Sequence, residues 1–210
     1  MGRMVGLYLA AGSSTRMGCD KLSLPLRDGT LGSQALRSAC SSKLDDVLVL
    51  TKPDDTLGWI PLPARSMEGF HKVRHIECPE ASLGQSYTLR CGIEAAEHLN
   101  AEALIVMLAD QPFVPAAMIN RLIETYRDRI LIDPNTLCTA ATHRGIPRPP
   151  ILFSHGLFPT LKQLKGDEGA RSLFRKGGLR PVMMEYATKA YFQDVDTPTD
   201  YEAIRAAATC

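Results

Sequence analysis

The chain holds six cysteines, at positions 19, 40, 78, 91, 138 and 210, but no C-x-x-C pair and no His/Cys grouping at metal-ligand spacing. That pattern excludes a zinc ribbon or finger and reads as reduced thiols of a cytoplasmic protein. Cys91 and Cys138 fall in apolar runs and read as core fillers. His71, His75, His98, His143 and His155 form no H-E-x-x-H pattern, and no G-x-S-x-G elbow is present. Zinc-dependent and serine hydrolysis therefore lack their sequence signs. No apolar run approaches the roughly 20 residues that span a bilayer. The first expected strand starts within about five residues, leaving no room for a secretory leader. A soluble, cytoplasmic protein is the expectation. Charge excess is missing too: 24 Lys and Arg face 23 Asp and Glu. Bulk electrostatics give no case for nucleic acid or an anionic membrane, so any affinity for phosphate must come from local placement of charge.

What the chain does have is a loop. A short apolar run, residues 5–10, empties into Ala11-Gly12-Ser13-Ser14-Thr15-Arg16-Met17-Gly18-Cys19-Asp20-Lys21. Gly12 and Gly18 permit positive φ and close backbone approach to a ligand. Inward-pointing N–H groups in such a loop make an anion-binding concavity, and Arg16 and Lys21 add mobile positive charge. The loop is neither a P-loop, since Cys19-Asp20 intervene before Lys21, nor a G-x-G-x-x-G fingerprint, since Ser14 stands at the second glycine. It reads as a polyphosphate site, against the alternative of an ordinary strand-to-helix turn.

The 210 residues fit one domain, 1–210. Strand-length apolar runs (5–10, 47–50, 73–78, 103–108) alternate with helical spacing (31–42, 87–99, 115–127). Residues 103–108 are the most apolar and are expected at the centre of the sheet. Residues 52–72 are rich in proline and glycine and read as an irregular excursion in which Trp59, the sole tryptophan, is a packing anchor. Further on, 137–141, 151–153, 181–185 and 191–195 are strand candidates, with 142–150 a polar segment between the first two. Residues 157–164 and 170–174 are helical pieces, and 198–208 form a closing helix. Met183-Met184 reads as core. The order implies a three-layer α/β fold with a mostly parallel sheet.

In such sheets ligands bind beyond the strand carboxyl ends. Asp110-Gln111-Pro112 follows the central strand, and Asp110 suits Mg²⁺ or a helix cap. Asp196 precedes Thr197-Pro198, so capping and metal binding both stay open. Asp194 is an alternative ligand, two residues away and on the same face if the segment is a strand. Gly84, Gln85 and Ser86 can approach and hydrogen-bond a base or ribose, while Ser86 equally suits an N-cap. Asp167-Glu168-Gly169-Ala170-Arg171 reads as a solvated helix start.

These residues together resemble the molybdenum-cofactor nucleotidyltransferases, in particular the cytidylyltransferase branch. The family's L-A-A-G-x-S-x-R-M-G-x-x-K opening matches Leu9 to Lys21. Its D-Q-P matches Asp110 to Pro112, its G-D-x-G-A-R matches Gly166 to Arg171, and its D-[IV]-D-T-P-x-D-[LY] ending matches Asp194 to Tyr201. Leu31 to Gln34 and Gly145 to Pro150 depart from the family wording on the acceptor side. The resemblance implies a Rossmann-like, GT-A-like nucleotidyltransferase fold. It implies that Leu9, Ala10, Ala11, Gly12 and Gly18 cradle the nucleotide phosphates, and that Gly84 and Ser86 lie near the cytidine or the pterin. Arg16 and Lys21 would bind phosphate and stabilise the transition state, and Asp110 and Asp196 would hold Mg²⁺. The implied reaction moves CMP from CTP to molybdopterin cofactor with release of pyrophosphate, for a molybdoenzyme such as xanthine dehydrogenase in purine breakdown. The rivals are transfer from GTP or another nucleotide to a different phosphate acceptor, and a non-catalytic cofactor carrier or chaperone.

Overall fold

The computed structural model describes residues 2–14, 16–175 and 179–208. Thr15 of the loop and the thiol of Cys210 lie outside the described residues. In chain order the elements are β1 (Arg3–Leu9), β2 (Pro25–Leu26), β3 (Gly29–Thr30), α1 (Leu31–Cys40), β4 (Asp46–Thr51), α2 (Leu62–Arg65), β5 (Val73–Glu77), α3 (Gln85–His98) and β6 (Ala101–Leu108). They continue as α4 (Ala116–Ile132), β7 (Cys138–His143), β8 (Ile146–Ser154), α5 (Phe158–Leu161), α6 (Ser172–Arg175), β9 (Val182–Glu185) and α7 (Pro198–Ala208).

Seven strands form one sheet in the order β5-β4-β1-β6-β8-β7-β9, with β6 at its centre. Every pairing is parallel except the two made by β8. Alternation along each strand sends side chains to opposite faces. Tyr8, Val49, Ile105 and Met107 meet α1, α4 and α7 on one face, while Leu7, Leu50, Leu104, Val106 and Phe153 meet α3 and α5 on the other. Strands covered on both faces read as continuous apolar runs, which is why β1, β4 and β6 were legible.

Trp59 is buried and stacks on Tyr8, with ring centroids 6.3 Å apart. It anchors the irregular 52–72 excursion, which contains only α2 and a single 3₁₀ turn, to the core. The Tyr8 hydroxyl donates to the Gly32 carbonyl at 2.7 Å, tying β1 to the first turn of α1.

Four expectations change. The polar segment 142–150 is largely strand, so the two strands are longer than expected: β7 runs on to His143, β8 starts at Ile146, and the two form a hairpin. Its turn places Arg144 and Gly145 at φ 54° and 71°, the positive-φ pair of a two-residue hairpin. The Glu185 carboxylate, on β9, accepts from the Arg144 and Gly145 N–H groups at 2.6 and 3.1 Å. Residues 191–195 are not a strand. A 3₁₀ turn, Lys189–Phe192, comes first, and the sheet already ends on β9. Met183 is exposed and only Met184 is core, because β9 is an edge strand with one face covered. Cys138 is buried but Cys91 only half-buried, beside the Glu77 carbonyl.

Three prolines, Pro147, Pro149 and Pro150, sit in β8 without breaking it. The pairing with β6 spans only Ile151 to Ser154, so residues 146–150 need no bonds on that side, and proline is tolerated where one side of a strand is unpaired. The two strands consequently separate beyond Val106.

Replacing Tyr8 with Phe removes the hydroxyl bond that ties β1 to the Gly32 carbonyl of α1. The expected loss is roughly 0.5–1.5 kcal/mol, measured by urea unfolding followed through the fluorescence of Trp59.

Candidate active site

The loop that follows β1 is seated by the sheet. Ala10 N–H donates to the Leu50 carbonyl at 2.8 Å, and Ala109 N–H to the Leu9 carbonyl at 3.1 Å, so the chain leaves β1 between its two neighbours. The Ser14 carbonyl accepts from Met17 and Gly18 N–H, closing the turn. Gly18 takes φ 72°, a conformation that costs a side-chain-bearing residue. The Asp20 carboxylate accepts from Leu22 N–H and Ser23 Oγ–H and starts a one-turn 3₁₀ helix. That helix turns Lys21 inward.

Lys21 is almost fully buried, and its ammonium spends all three protons. Nζ donates to Asp110 Oδ2 at 2.7 Å, to the Val195 carbonyl at 2.9 Å and to Asp196 Oδ1 at 3.1 Å. Burial disfavours its charge, yet the Asp110 and Asp196 carboxylates outweigh burial and hold its pKa above the ordinary lysine value. Arg16, largely exposed, reaches the second oxygen of Asp196 at 3.0 Å. The geometry thus brings Arg16, Lys21, Asp110 and Asp196 to one point; Gly12 lines a cavity with Asp110, whereas Ala10 and Gly18 line a neighbouring one with Asp20 and Trp59.

Both capping alternatives fall away. Helix α4 starts after Pro115 with no side-chain cap, leaving Asp110 out of it. Helix α7 is capped by Thr197 and Asp200, whose side chains exchange bonds with each other's N–H at 2.9 and 3.2 Å; this reciprocal pair leaves the Asp196 carboxylate to Lys21 and Arg16. Asp110 Oδ1 is buried and has no hydrogen-bond partner. An unsatisfied carboxylate oxygen facing a second carboxylate across a cation is a donor set that fits a hard divalent ion. Asp194 does not join it. Its segment is not a strand, so the same-face expectation fails: Oδ1 instead accepts from Gln111 Nε2 at 2.7 Å. Burial, then the nearby Asp110 charge, push the Asp194 pKa above the usual carboxylate range.

Gly84 and Ser86 lie across the loop. Ser86 is not a cap, because Gly84 precedes Gln85 at the start of α3. Its hydroxyl is buried without a partner, and its N–H donates to the Gly166 carbonyl at 3.0 Å. The 166–171 turn therefore packs its glycine end against the start of α3, while Asp167 stays exposed and α6 begins at Ser172, as a solvated helix start would have it. A cavity of about 370 Å³ opens between these parts, lined among others by Leu9, Ala11, Gly12, Lys52, Gly84 and Asp110. Lys52 escaped the sequence reading because nothing in its proline-rich surroundings marks it. Ser172 escaped it as well, while Gln111 and Arg148 stood in segments the sequence marked without a role of their own.

The MobA-like NTP transferase domain matches residues 6–182 of the chain. The chain belongs to that family. The purine catabolism protein PucB of Bacillus subtilis (strain 168) is 35% identical over 206 residues, covering 97% of each chain. The molybdenum cofactor guanylyltransferase of Rhodobacter capsulatus is 30% identical over 123 residues, 57% of each. The crystal structure of Rv0371c from Mycobacterium tuberculosis H37Rv in complex with manganese superposes with a TM-score of 0.74 at 25% identity, covering 97% of this chain and 98% of that one. The chain is thus a nucleotidyltransferase-family protein with the mixed α/β sheet of that family. Among the described residues no helix is long and apolar enough to cross a membrane, and no cluster of three or more His, Cys, Asp or Glu stands ready for a metal. A two-carboxylate site falls below that number, and Mg²⁺ bound by one or two carboxylates takes its remaining ligands from substrate phosphates and water.

Gly84 takes φ 128°, and a Cβ there would lie 2.4 Å from the Gly166 carbonyl carbon and oxygen. Gly84→Ala is expected to cost roughly 2 kcal/mol or more and to separate α3 from the 166–171 turn. Thermal unfolding and nucleotide titration check both effects.

Proposed function

We propose that this chain is a single-domain, Mg²⁺-dependent nucleotidyltransferase that moves CMP from CTP to molybdopterin cofactor, serving the maturation of a molybdenum hydroxylase such as xanthine dehydrogenase. One observation carries the reading: Lys21, Asp110 and Asp196 meet at the mouth of the glycine loop, with one carboxylate oxygen left buried and unpaired. The names of two relatives, one in purine catabolism and one in molybdenum-cofactor chemistry, support the choice of acceptor and setting.

In this reading the backbone of residues 9–12 and Gly18 receives the triphosphate. A divalent ion held by Asp110 and Asp196 neutralises and aligns the phosphates when bound. Lys21 then turns from the carboxylates to the phosphates, and Arg16 does the same from the rim. An oxygen of the acceptor's terminal phosphate bonds to the α-phosphorus. The bond from that phosphorus to the bridging oxygen breaks, and pyrophosphate leaves with the electron pair. The attacking oxygen is already an anion, so no general base is needed, and positioning plus electrostatics supply the catalysis. Gly84 and Ser86 border the space left for the nucleoside.

The GTP alternative is favoured by the guanylyltransferase relative. Pyrophosphate release from CTP, GTP, ATP and UTP, each with and without molybdopterin, separates the two. Release fastest with CTP and dependent on molybdopterin is expected. Preference for GTP moves the assignment to guanylyl transfer, and no release from any nucleotide supports the non-catalytic carrier.

Lys21→Ala should lower turnover by roughly 10²–10³, as loss of a preorganised donor does. The same variant leaves two carboxylates facing each other without their cation. Its melting temperature in a chelator should fall below that of the parent, and Mg²⁺ or Mn²⁺ should raise it more than it raises the parent's. Parent-like turnover, or a melting temperature indifferent to metal, contradicts the assignment.

A further inference from the structure

Cys78 and Cys91 meet on the α3 face of the sheet. Cys78 follows β5 directly, and its N–H donates to the Thr51 carbonyl at 2.9 Å, so β4 fixes its backbone. Cys91 lies in the second turn of α3. The two sulfurs sit against successive carbonyls of one strand end: Cys78 Sγ is 3.9 Å from the Ile76 oxygen, and Cys91 Sγ is 3.8 Å from the Glu77 oxygen. The Cys78 thiol donates to the Cys91 sulfur. Side chains that face each other in this way meet the first demand of a disulfide, which cysteines facing apart cannot meet without backbone movement.

The two partners are unequal. Cys78 is buried, and the bond it donates to Cys91, then burial, push its thiol above the ordinary value. Cys91 is half-buried. The bond it accepts holds its thiol below the ordinary value, against burial and the Glu94 carboxylate. A reachable sulfur with thiolate character, beside a sheltered second thiol, is the arrangement of an attacking and a resolving cysteine. Cys40 and Cys138 differ: burial pushes their thiols up to about 11 and about 12, and Cys40 lies in the opposite core layer.

Between Cys78 and Cys91 lie the 3₁₀ turn Ala81–Leu83, Gly84 and the start of α3. Ala81, Ser82, Gly84, Gln85 and Thr88 form one wall of the cavity of about 370 Å³ that Gly12 and Asp110 also line. We propose that Cys78 and Cys91 are a peroxide-responsive dithiol that closes to a disulfide and staples this wall. The proposal goes beyond the transferase reading and does not depend on it. The Cys91 thiolate attacks a peroxide oxygen: the S–O bond forms, the O–O bond breaks, and hydroxide leaves and takes up the proton that Cys91 lost. The Cys78 thiol then attacks the Cys91 sulfur as its proton passes to the departing oxygen. The S–S bond forms, the S–O bond breaks and a second water leaves. Two thiols are oxidised and one peroxide is reduced to two waters. A dithiol reductant reverses the step by exchange. The link ties the end of β5 to α3 and restricts both the unfolded chain and the wall.

Arg90 falls between the two cysteines, so trypsin places them on separate peptides, 75–90 and 91–121. The full chain, treated with a small excess of hydrogen peroxide, should yield these peptides joined with the loss of two hydrogens, and dithiothreitol should part them. Oxidation should raise the melting temperature by roughly 3–10 °C and slow amide hydrogen exchange over residues 79–86. Cys91→Ser should abolish the link and the rise while melting close to the reduced parent. In Cys78→Ser the Cys91 sulfenic acid has no resolving partner, so it should accumulate and be trapped by dimedone, which should label the parent far less. If Cys78→Ser does not fold, the parent and Cys91→Ser decide the matter. A treated parent whose two peptides stay unlinked, or whose links run through Cys19 or Cys210, overturns the proposal. A 78–91 link that leaves melting and exchange unchanged overturns the stapling of the wall.

Discussion

The site depends on one buried ammonium group. Lys21 Nζ holds together three stretches remote in sequence: the loop after β1, the end of β6 at Asp110 and the 194–196 segment. Each stretch is separately anchored. Asp20 starts the turn that delivers the lysine, the sheet fixes Asp110, and the Thr197–Asp200 cap sets where α7 begins. Among the described residues Lys21 Nζ donates to these three acceptors alone, and the carboxylates would repel each other without it. A buried cation of this kind is retained at a cost in desolvation that packing alone would avoid. Its presence therefore speaks for chemistry over stability.

A second constraint shapes the space around that cation. The sheet is parallel from β5 to β6, which gathers strand carboxyl ends, and the loops that follow them, along one rim. The reversal of β8 and its three prolines then stop the sheet from closing over the rim. Pairing with β6 ends at Ile151, and the gap left between the strands lies beside Gln111 and Asp194. Turn chemistry at Arg144-Gly145 and the Glu185 carboxylate hold the far end of the hairpin. The gap is thus a fixed feature of the backbone and does not depend on side-chain rearrangement.

Much of this was legible in residues. Continuous apolar runs gave β1, β4 and β6, and the glycines and cations of Leu9 to Lys21 marked the turn that carries Arg16 and Lys21 to the two carboxylates, because backbone freedom and positive charge leave local signatures. The 142–150 hairpin was not legible, since proline and glycine punctuate loops more often than they interrupt strands, and only the early end of the β6 pairing makes them tolerable here. Asp194 and Asp196 were expected on one face because strand alternation was assumed for a segment that is irregular. The capping ambiguity of Asp110 and Asp196 needed coordinates, since Thr197 and Asp200 compete for the same role within a few residues. Gln111 stood in the Asp110-Gln111-Pro112 motif and Arg148 in the departing 145–150 segment, but no role was legible for either, and Ser172 carried no signal. Each leaves a buried polar atom unbonded, which no spacing rule reveals.

Val195 contributes no functional side chain, yet both of its main-chain polar atoms serve the site. Its N–H meets the Asp110 carbonyl and its own carbonyl meets Lys21, while its side chain is wholly enclosed in the core. The separation of the two acids is therefore gauged by a peptide unit whose position is dictated by hydrocarbon packing. A change of one methyl group deep among apolar neighbours would be transmitted to the Lys21, Asp110 and Asp196 cluster as a change of length, with every polar residue there left untouched.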